Sequence, residues 1–94
     1  MKKVYGNDKY KVLGVTLNAG EAMPLHHVTS DAFIICKKGK GQISFADRQV
    51  TLSLGDTLLI ANSEPHKMEV LEDFSACIIL ENEGQINFTD VKVL

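Results

Sequence analysis

Little in this sequence connects it to nucleic acid, to a membrane or to export. The chain contains 10 Lys and Arg residues against 12 Asp and Glu residues, and its formal net charge of −2 gives no attraction for a phosphate backbone or an anionic lipid surface. Two lysines follow Met1, but the apolar run of about 7 to 15 residues that a signal peptide requires does not follow. We therefore expect a cytoplasmic protein that binds neither nucleic acid nor membranes.

Cysteine is also scarce. The two cysteines, Cys36 and Cys77, lie in apolar stretches and lack the C-x-x-C spacing of redox and zinc motifs. The simplest interpretation is that both are small buried hydrophobic residues in a reducing compartment. A disulfide between them is the alternative.

Helical periodicity is missing as well. No window of a dozen residues keeps apolar residues at helical spacing, whereas short β-branched runs alternate with turn residues from end to end. The predicted strands are 10–18, 23–28, 32–37, 41–45, 48–52, 57–61, 66–71 and 75–80, with weaker pieces at both ends. In a chain of 94 residues we expect one domain over 1–94, with a core at about 10–80 and terminal strands at both ends. Strands this short and numerous predict an all-β barrel or sandwich.

Strand alternation indicates which side chains share a face. From residue 66 onwards, His66, Met68 and Val70 fall on one side of the strand, while Lys67 and Glu69 fall on the other. The two charged residues must face water. His66 is therefore predicted to face the interior.

Two histidines stand side by side in the segment around residue 26. In a regular strand His26 and Val28 share one side, and Leu25 and His27 share the other, so neighbouring histidines cannot hold one ion. Only a bulge or an irregular entry near Pro24 would bring both rings to one point. We expect His26 to face the interior and His27 to face solvent or an interface.

The spacing of a first set of residues resembles a known motif. Gly20, five residues, His26, one residue, Val28, three residues, Ala32, six residues and Gly39 follow one another. This series is similar to the first cupin motif, which has a glycine, two histidines, a glutamate and a glycine.

A second set resembles the second cupin motif, which has a glycine, a proline, a glycine, a histidine and an asparagine. Here Gly55, five residues, Ala61, one residue, Ser63, two residues, His66, three residues and Val70 follow one another. The fifteen residues between the two sets match the shortest spacing between cupin motifs. The chain thus resembles the small single-domain cupins (the cupin 2 conserved barrel family) over roughly 12–80. The resemblance implies an antiparallel double-stranded β-helix, or jelly-roll barrel.

The resemblance also implies a metal site, which this sequence only half retains. The family holds its metal with three histidines and a glutamate, and here His26 and His66 keep their places while Val28 and Ala32 replace the second histidine and the glutamate. Two imidazoles fall short of the three protein ligands that a catalytic metal needs. His27 would add a third ligand if the strand were irregular there. Iron, manganese, nickel or zinc are the metals that such a site would hold.

The family register further implies which residues line the barrel. The expected pocket residues are His26, Val28, Ala32, Ile34, Cys36, His66 and Met68, with Val70 and Phe45 or Ile43 beside them. Such a pocket is mostly apolar with a few polar groups, as small-molecule sites are. Cys36 is the one nucleophile near a histidine, but no basic group is evident to form its thiolate, and we assign no catalytic residue.

Three functions are consistent with these residues. The favoured one is a non-enzymatic module that binds or senses a small molecule, with His26 and His66 as the orienting groups. The second is a metal-dependent cupin enzyme of the dioxygenase, isomerase or decarboxylase type. The third is a structural dimer with a filled barrel.

The ends of the chain and one loop carry weaker signals. Residues 37–40, Lys-Lys-Gly-Lys, predict a solvated basic hairpin turn. Ile86, Phe88, Val91 and Val93 alternate with polar residues, as in a last strand that needs an apolar surface to cover. Cupin-like domains commonly pair through sheet faces and exchanged terminal strands, so the resemblance implies a homodimer.

Overall fold

The computed structural model describes residues 1–88, and these form eight strands. The strands are β1 (Lys2–Gly6), β2 (Tyr10–Leu17), β3 (Ala22–Val28), β4 (Ala32–Ser44), β5 (Gln49–Ser53), β6 (Thr57–Ile60), β7 (His66–Glu81) and β8 (Ile86–Phe88). This part of the chain contains no helix, and so none that could cross a membrane. All pairings are antiparallel, which confirms the predicted fold class. Val91 and Val93 of the predicted last strand lie outside the described residues.

Two long strands organise the sheet. β4 has 13 residues and β7 has 16, and the two pair with each other along nearly their whole length. On its other edge, β7 pairs with β3 through its first half and with β2 through its second half. β4 pairs with β6 and then with β5 in the same way. β1 extends β2 and β8 extends β3, and the sheet curls around one apolar interior.

The prediction of a basic hairpin turn at residues 37–40 is wrong, because this segment lies inside β4. The predicted strands 32–37 and 41–45 are one strand, and 66–71 and 75–80 are likewise joined in β7. The pairing of β4 with β7 shifts register three times between Cys36 and Gly41, so the segment is a series of bulges. Gly39 has a φ of 77°, and a Cβ there would collide with the carbonyl oxygen of Asp73. Only glycine fits this crossing.

The interior follows the predicted alternation. His66, Met68 and Val70 are buried, and Lys67 and Glu69 are exposed. The buried apolar cluster is Val28, Ala32, Ile34, Cys36, Ile43, Phe45, Leu52, Ile60, Met68, Val70, Phe74, Ala76 and Leu80. The inward faces of β4 and β7 supply most of this cluster, so the two long strands also build most of the interior wall.

Candidate functional site

The two buried histidines lie next to each other on the inner surface of the sheet. His26 of β3 is opposite His66 of β7 in the register of the two strands. Their ring centroids are 4.1 Å apart with an interplanar angle of 62°, and each residue is only 4% exposed. The pairing of β3 with β7 therefore brings together two residues that are 40 positions apart in the sequence.

A register shift in β3 decides which side chains join His26. The pairing with β7 is irregular between Met23 and His26, so both residues face the interior although they are three positions apart. His27 follows the ordinary alternation, pairs with Asn87 of β8, is half-buried and does not line the cavity. The irregularity near Pro24 thus brings a methionine to the cavity, and the structure gives His27 no place beside the two rings.

Main-chain carbonyl groups hold both neutral rings in one tautomer. His26 Nδ1 lies 2.7 Å from the carbonyl oxygen of Pro24, and His66 Nδ1 lies 2.9 Å from that of Glu64. A carbonyl oxygen can only accept a hydrogen bond, so each Nδ1 carries the hydrogen and donates it. In the neutral ring Nε2 is then an acceptor with a free lone pair. Each histidine is oriented by the backbone two residues before it.

Burial keeps these rings neutral. The pKa of His26 is lowered chiefly by its burial, against the carbonyl of Pro24, and further by the nearby His66 and His27. The pKa of His66 is also lowered chiefly by burial, while its hydrogen bond to the Glu64 carbonyl opposes the change. Since the ordinary pKa of 6.5 already lies below neutral pH, both imidazoles are uncharged there.

The two rings contribute the polar part of an otherwise apolar cavity. Sixteen side chains line it, and all except the two histidines are hydrophobic. The cavity volume is about 30 Å³, which is room for about two water molecules. All three methionines of the chain, Met1, Met23 and Met68, are in the wall. The cavity therefore combines two fixed acceptors with unbranched, adaptable side chains.

The structure places most of the expected pocket residues in this wall. These are His26, Val28, Ala32, Ile34, His66 and Met68, joined by Ile43 and by Ile60 of β6. Further wall residues that were not expected are Met1, Val15, Met23, Phe74, Ala76, Ile78, Leu80 and Ile86. They come from Met1, from β2, from the irregular start of β3, from the second half of β7 and from β8. The alternation of Leu13, Val15 and Leu17 with Gly14 and Thr16 was visible in the sequence, but the register of this segment against β7 was not.

Cys36, which was expected in the pocket, lies outside the cavity wall. It is 1% exposed, and its Sγ is 3.5 Å from the carbonyl oxygen of Lys38, at the start of the bulged segment. Burial raises the pKa of this thiol, which keeps it protonated. Cys77 pairs with Ile35 in the register and points to the opposite face, so both cysteines are free thiols. The interpretation as inert buried residues fits Cys36, and the alternative disulfide is not formed.

The four positions of the cupin metal motif meet at this cavity, but the residues there do not fit a metal. Val28 and Ala32 line the same wall as His26 and His66, and both side chains are aliphatic. Among the described residues, no group of three His, Cys, Asp or Glu side chains could hold an ion. Two neutral nitrogen ligands without a carboxylate do not make the site that iron, manganese, nickel or zinc requires in an enzyme.

Comparison with known proteins gives one family and many related folds. Residues 14–83 match the sequence profile of the AraC-like ligand binding domain. No curated protein matches the sequence. The structure is similar to that of a cupin-2 domain containing protein from Shewanella frigidimarina, with a TM-score of 0.74, 24% identity, and coverage of 83% of this chain and 76% of that one.

Two further solved structures show the same fold. An RmlC-like cupin protein from Desulfovibrio desulfuricans has a TM-score of 0.75 at 20% identity, with 85% of this chain and 78% of that chain covered. The polyketide cyclase RemF from Streptomyces resistomycificus has a TM-score of 0.78 at 16% identity, with 93% and 65% covered. These similarities confirm the predicted small cupin barrel.

Proposed function

The chain belongs to the family of AraC-like ligand binding domains, and from this premise we propose that it is a non-enzymatic module that binds or senses a small molecule inside its barrel. The observation that carries the proposal is the cavity itself, in which two neutral histidines face a wall of hydrophobic side chains. Small-molecule sites have this composition, with a few convergent polar groups fixing the orientation of a mostly apolar ligand. A signal from such a module would pass through a separate partner.

The size of the cavity requires that the wall adapts to its ligand. About 30 Å³ is far below the roughly 300 to 1,000 Å³ of pockets that hold drug-sized molecules. Methionine side chains have three rotatable bonds and repack at low cost. Met1 is 58% exposed and Met23 is half-buried, so these two can move outwards without breaking the core. Entry of a ligand would enlarge the cavity at this end of the barrel.

A thermal-shift screen of small organic molecules tests the proposal. A ligand that binds only the folded protein raises its midpoint by mass action. We expect some compounds to raise the midpoint of the wild type and of the His27→Ala control, and to raise that of His66→Phe less, because that variant keeps only one of the two acceptors. If no compound stabilises the wild type, the barrel is a filled structural core and the proposal fails.

One observation favours a metal-dependent enzyme as a second candidate. Histidines that bind metals usually donate one ring N–H to a carbonyl or carboxylate and coordinate through the other nitrogen. His26 and His66 both have this arrangement, with Nδ1 bound to the backbone. Metal analysis of protein purified without an affinity tag separates the candidates. One equivalent of metal that disappears in both His26→Ala and His66→Ala would support a dioxygenase, isomerase or decarboxylase, and its absence after reloading would exclude a resident metal.

We further propose that two copies of the chain pair through the outer face of the sheet. Five side chains in successive register positions form an apolar row across five strands, which we name the outer row: Leu59, Phe33, Ile79, Val12 and Tyr5. Within it, Leu59 is 57% exposed and Tyr5 is 53% exposed. Contiguous exposed apolar surface of this kind marks an interaction site.

The charges beside the outer row favour a second copy as the partner. The exposed acids Asp31 and Glu81 lie at one side of the row, and the exposed bases Lys2 and Lys37 lie at the other. A two-fold axis along the row would pack the row against itself and bring the acids of one copy near the bases of the other. We expect a homodimer in sedimentation measurements and a monomer for Leu59→Lys. Leu54→Lys is the matched control, since Leu54 is 73% exposed but lies outside the row; equal masses for both variants would refute the interface.

A further inference from the structure

The backbone fixes one nitrogen of each cavity histidine, Nε2, as an acceptor. Both Nδ1 atoms donate to main-chain carbonyl groups, those of Pro24 and Glu64, which can only accept a hydrogen bond. An imidazole that rotated to present an N–H to the cavity would lose that bond and leave a carbonyl without its partner. The hydrogen bonds of residues 1–88 use neither Nε2. The cavity thus offers two acceptors and no side-chain donor.

We propose that the ligand is a small uncharged molecule that donates a hydrogen bond from an O–H or N–H group to Nε2 of His26 or His66, with the rest of the molecule against the apolar wall. This inference rests on the proposed binding function and adds the chemical class of its ligand. Alcohols, primary amides and N–H heterocycles belong to this class. Molecules of the same size that only accept hydrogen bonds, or that carry a charge, do not.

Anions are rejected because no side chain in the wall can stabilise them. A carboxylate or phosphate would place its lone pairs against those of Nε2, and no lysine, arginine or hydroxyl group lines the cavity. Burying an unpaired charge in such a place is strongly unfavourable. Protonating a ring to receive the anion would work against the burial that keeps both rings neutral. A carboxylate ligand would therefore bind at best weakly.

Organic cations and pure acceptors are rejected for related reasons. An alkylammonium group could donate to Nε2, but no carboxylate lines the cavity to balance its charge. A ketone or ether would leave Nε2 without a partner and would lose its own hydrogen bonds to water. The class that remains has a neutral donor at one end and a hydrocarbon body at the other.

Four compounds with four non-hydrogen atoms each test this class with little enlargement of the cavity. Propan-2-ol donates, acetone only accepts, acetate is an anion, and acetamide donates through its N–H groups. Each is titrated into protein labelled with ¹³C at the methionine methyl groups and with ¹⁵N in the histidine rings, at pH 7.5. We expect saturable shifts of the Met23 and Met68 methyl signals and of a histidine Nε2 signal with propan-2-ol and acetamide.

The relative affinities of the four compounds test the hydrogen bond to Nε2. One hydrogen bond is worth about a factor of ten in affinity, so propan-2-ol should bind at least about tenfold more tightly than acetone, and acetate should give no saturable shift. In whichever of His26→Phe and His66→Phe removes the acceptor, the ratio of propan-2-ol to acetone should fall towards one, while His27→Ala should keep it. The ¹⁵N shifts of the unliganded protein should also show Nε2 without a proton in both rings. This last measurement uses the wild-type protein, so it does not depend on whether a variant folds.

Different results would refute the ligand class and the binding function. If acetone or acetate binds as well as propan-2-ol, or if Nε2 carries the proton, the ligand class is wrong although the cavity binds molecules. If none of the four compounds shifts a cavity signal, the binding function itself fails, and the ligand class fails with it.

Discussion

The two buried histidines should make the folded state lose stability in mild acid, over a window in which few other groups titrate. Burial lowers the pKa of both His26 and His66 below the 6.5 of the unfolded chain. Below pH 6.5 the unfolded state therefore binds protons that the folded state does not yet bind. Stability is full above about pH 6.5, falls as the pH drops towards the folded-state pKa values, and levels off once the folded rings are protonated as well.

The number of rings in the cavity sets the steepness of this loss. Each group that is protonated only in the unfolded state contributes about 1.4 kcal/mol per pH unit, so two give a slope of up to about 2.7 kcal/mol per pH unit. Glu and Asp side chains with ordinary pKa values titrate below about pH 5, and the window above it is dominated by histidine. For a domain stable by about 5 to 15 kcal/mol this slope is large.

Urea unfolding at intervals of half a pH unit from 7.5 to 5 measures the slope. His66→Phe should reduce it by about half, to about 1.4 kcal/mol per pH unit, because one ring remains. His27→Asn is the control, since the His27 ring lies outside the cavity, and it should keep the wild-type slope. A stability that is constant from pH 7.5 to 5, or that increases on acidification, would refute the burial of two neutral rings.

Two further predictions test the architecture of the barrel. Gly39→Ala should lower the free energy of unfolding in urea by about 2 to 4 kcal/mol, because it adds a collision with a backbone carbonyl to the cost of a left-handed residue. The control Gly55→Ala is also at positive φ but in open space, and it should lower that free energy by only about 1 to 2 kcal/mol. Equal losses for the two variants would contradict the close strand crossing at Gly39. The double variant Val28→His, Ala32→Glu should bind one equivalent of zinc or manganese per chain in metal analysis, because both positions line the cavity with the two histidines. A double variant that folds but binds no metal would show that the four side chains do not converge.

Sequence alternation was sufficient to predict the inward direction of His66 and Met68, because residues two apart in a strand share a face and charged neighbours fix which face is outward. It was not sufficient at residues 38–41. Glycine and lysine clusters are typical of turns and of bulges alike, and only the close approach of Gly39 to Asp73 of the neighbouring strand distinguishes them. The same limit applies to His27. Whether a bulge falls before or after His26 depends on the register with β7, which no local pattern contains.

The wall of the cavity shows a related limit. The positions taken from the cupin motifs lie on β3, β4 and the first half of β7, and the motifs span β6 as well but not β2 or the second half of β7. Val15 and Phe74 belong to segments without motif residues, and they became part of the site through the pairing of β2 with β7. Local pattern therefore predicts the polar centre of the site better than its hydrophobic boundary.

The carbonyl groups of Pro24 and Glu64 affect how a barrel of this kind can change its use during evolution. Side-chain substitutions elsewhere cannot delete a main-chain oxygen, so exchanging the residues at positions 28 and 32 leaves the direction of both imidazoles unchanged. Variants that differ at these two positions would share the same pair of lone-pair directions. The backbone thus keeps the polar centre of the cavity constant while the side chains around it change.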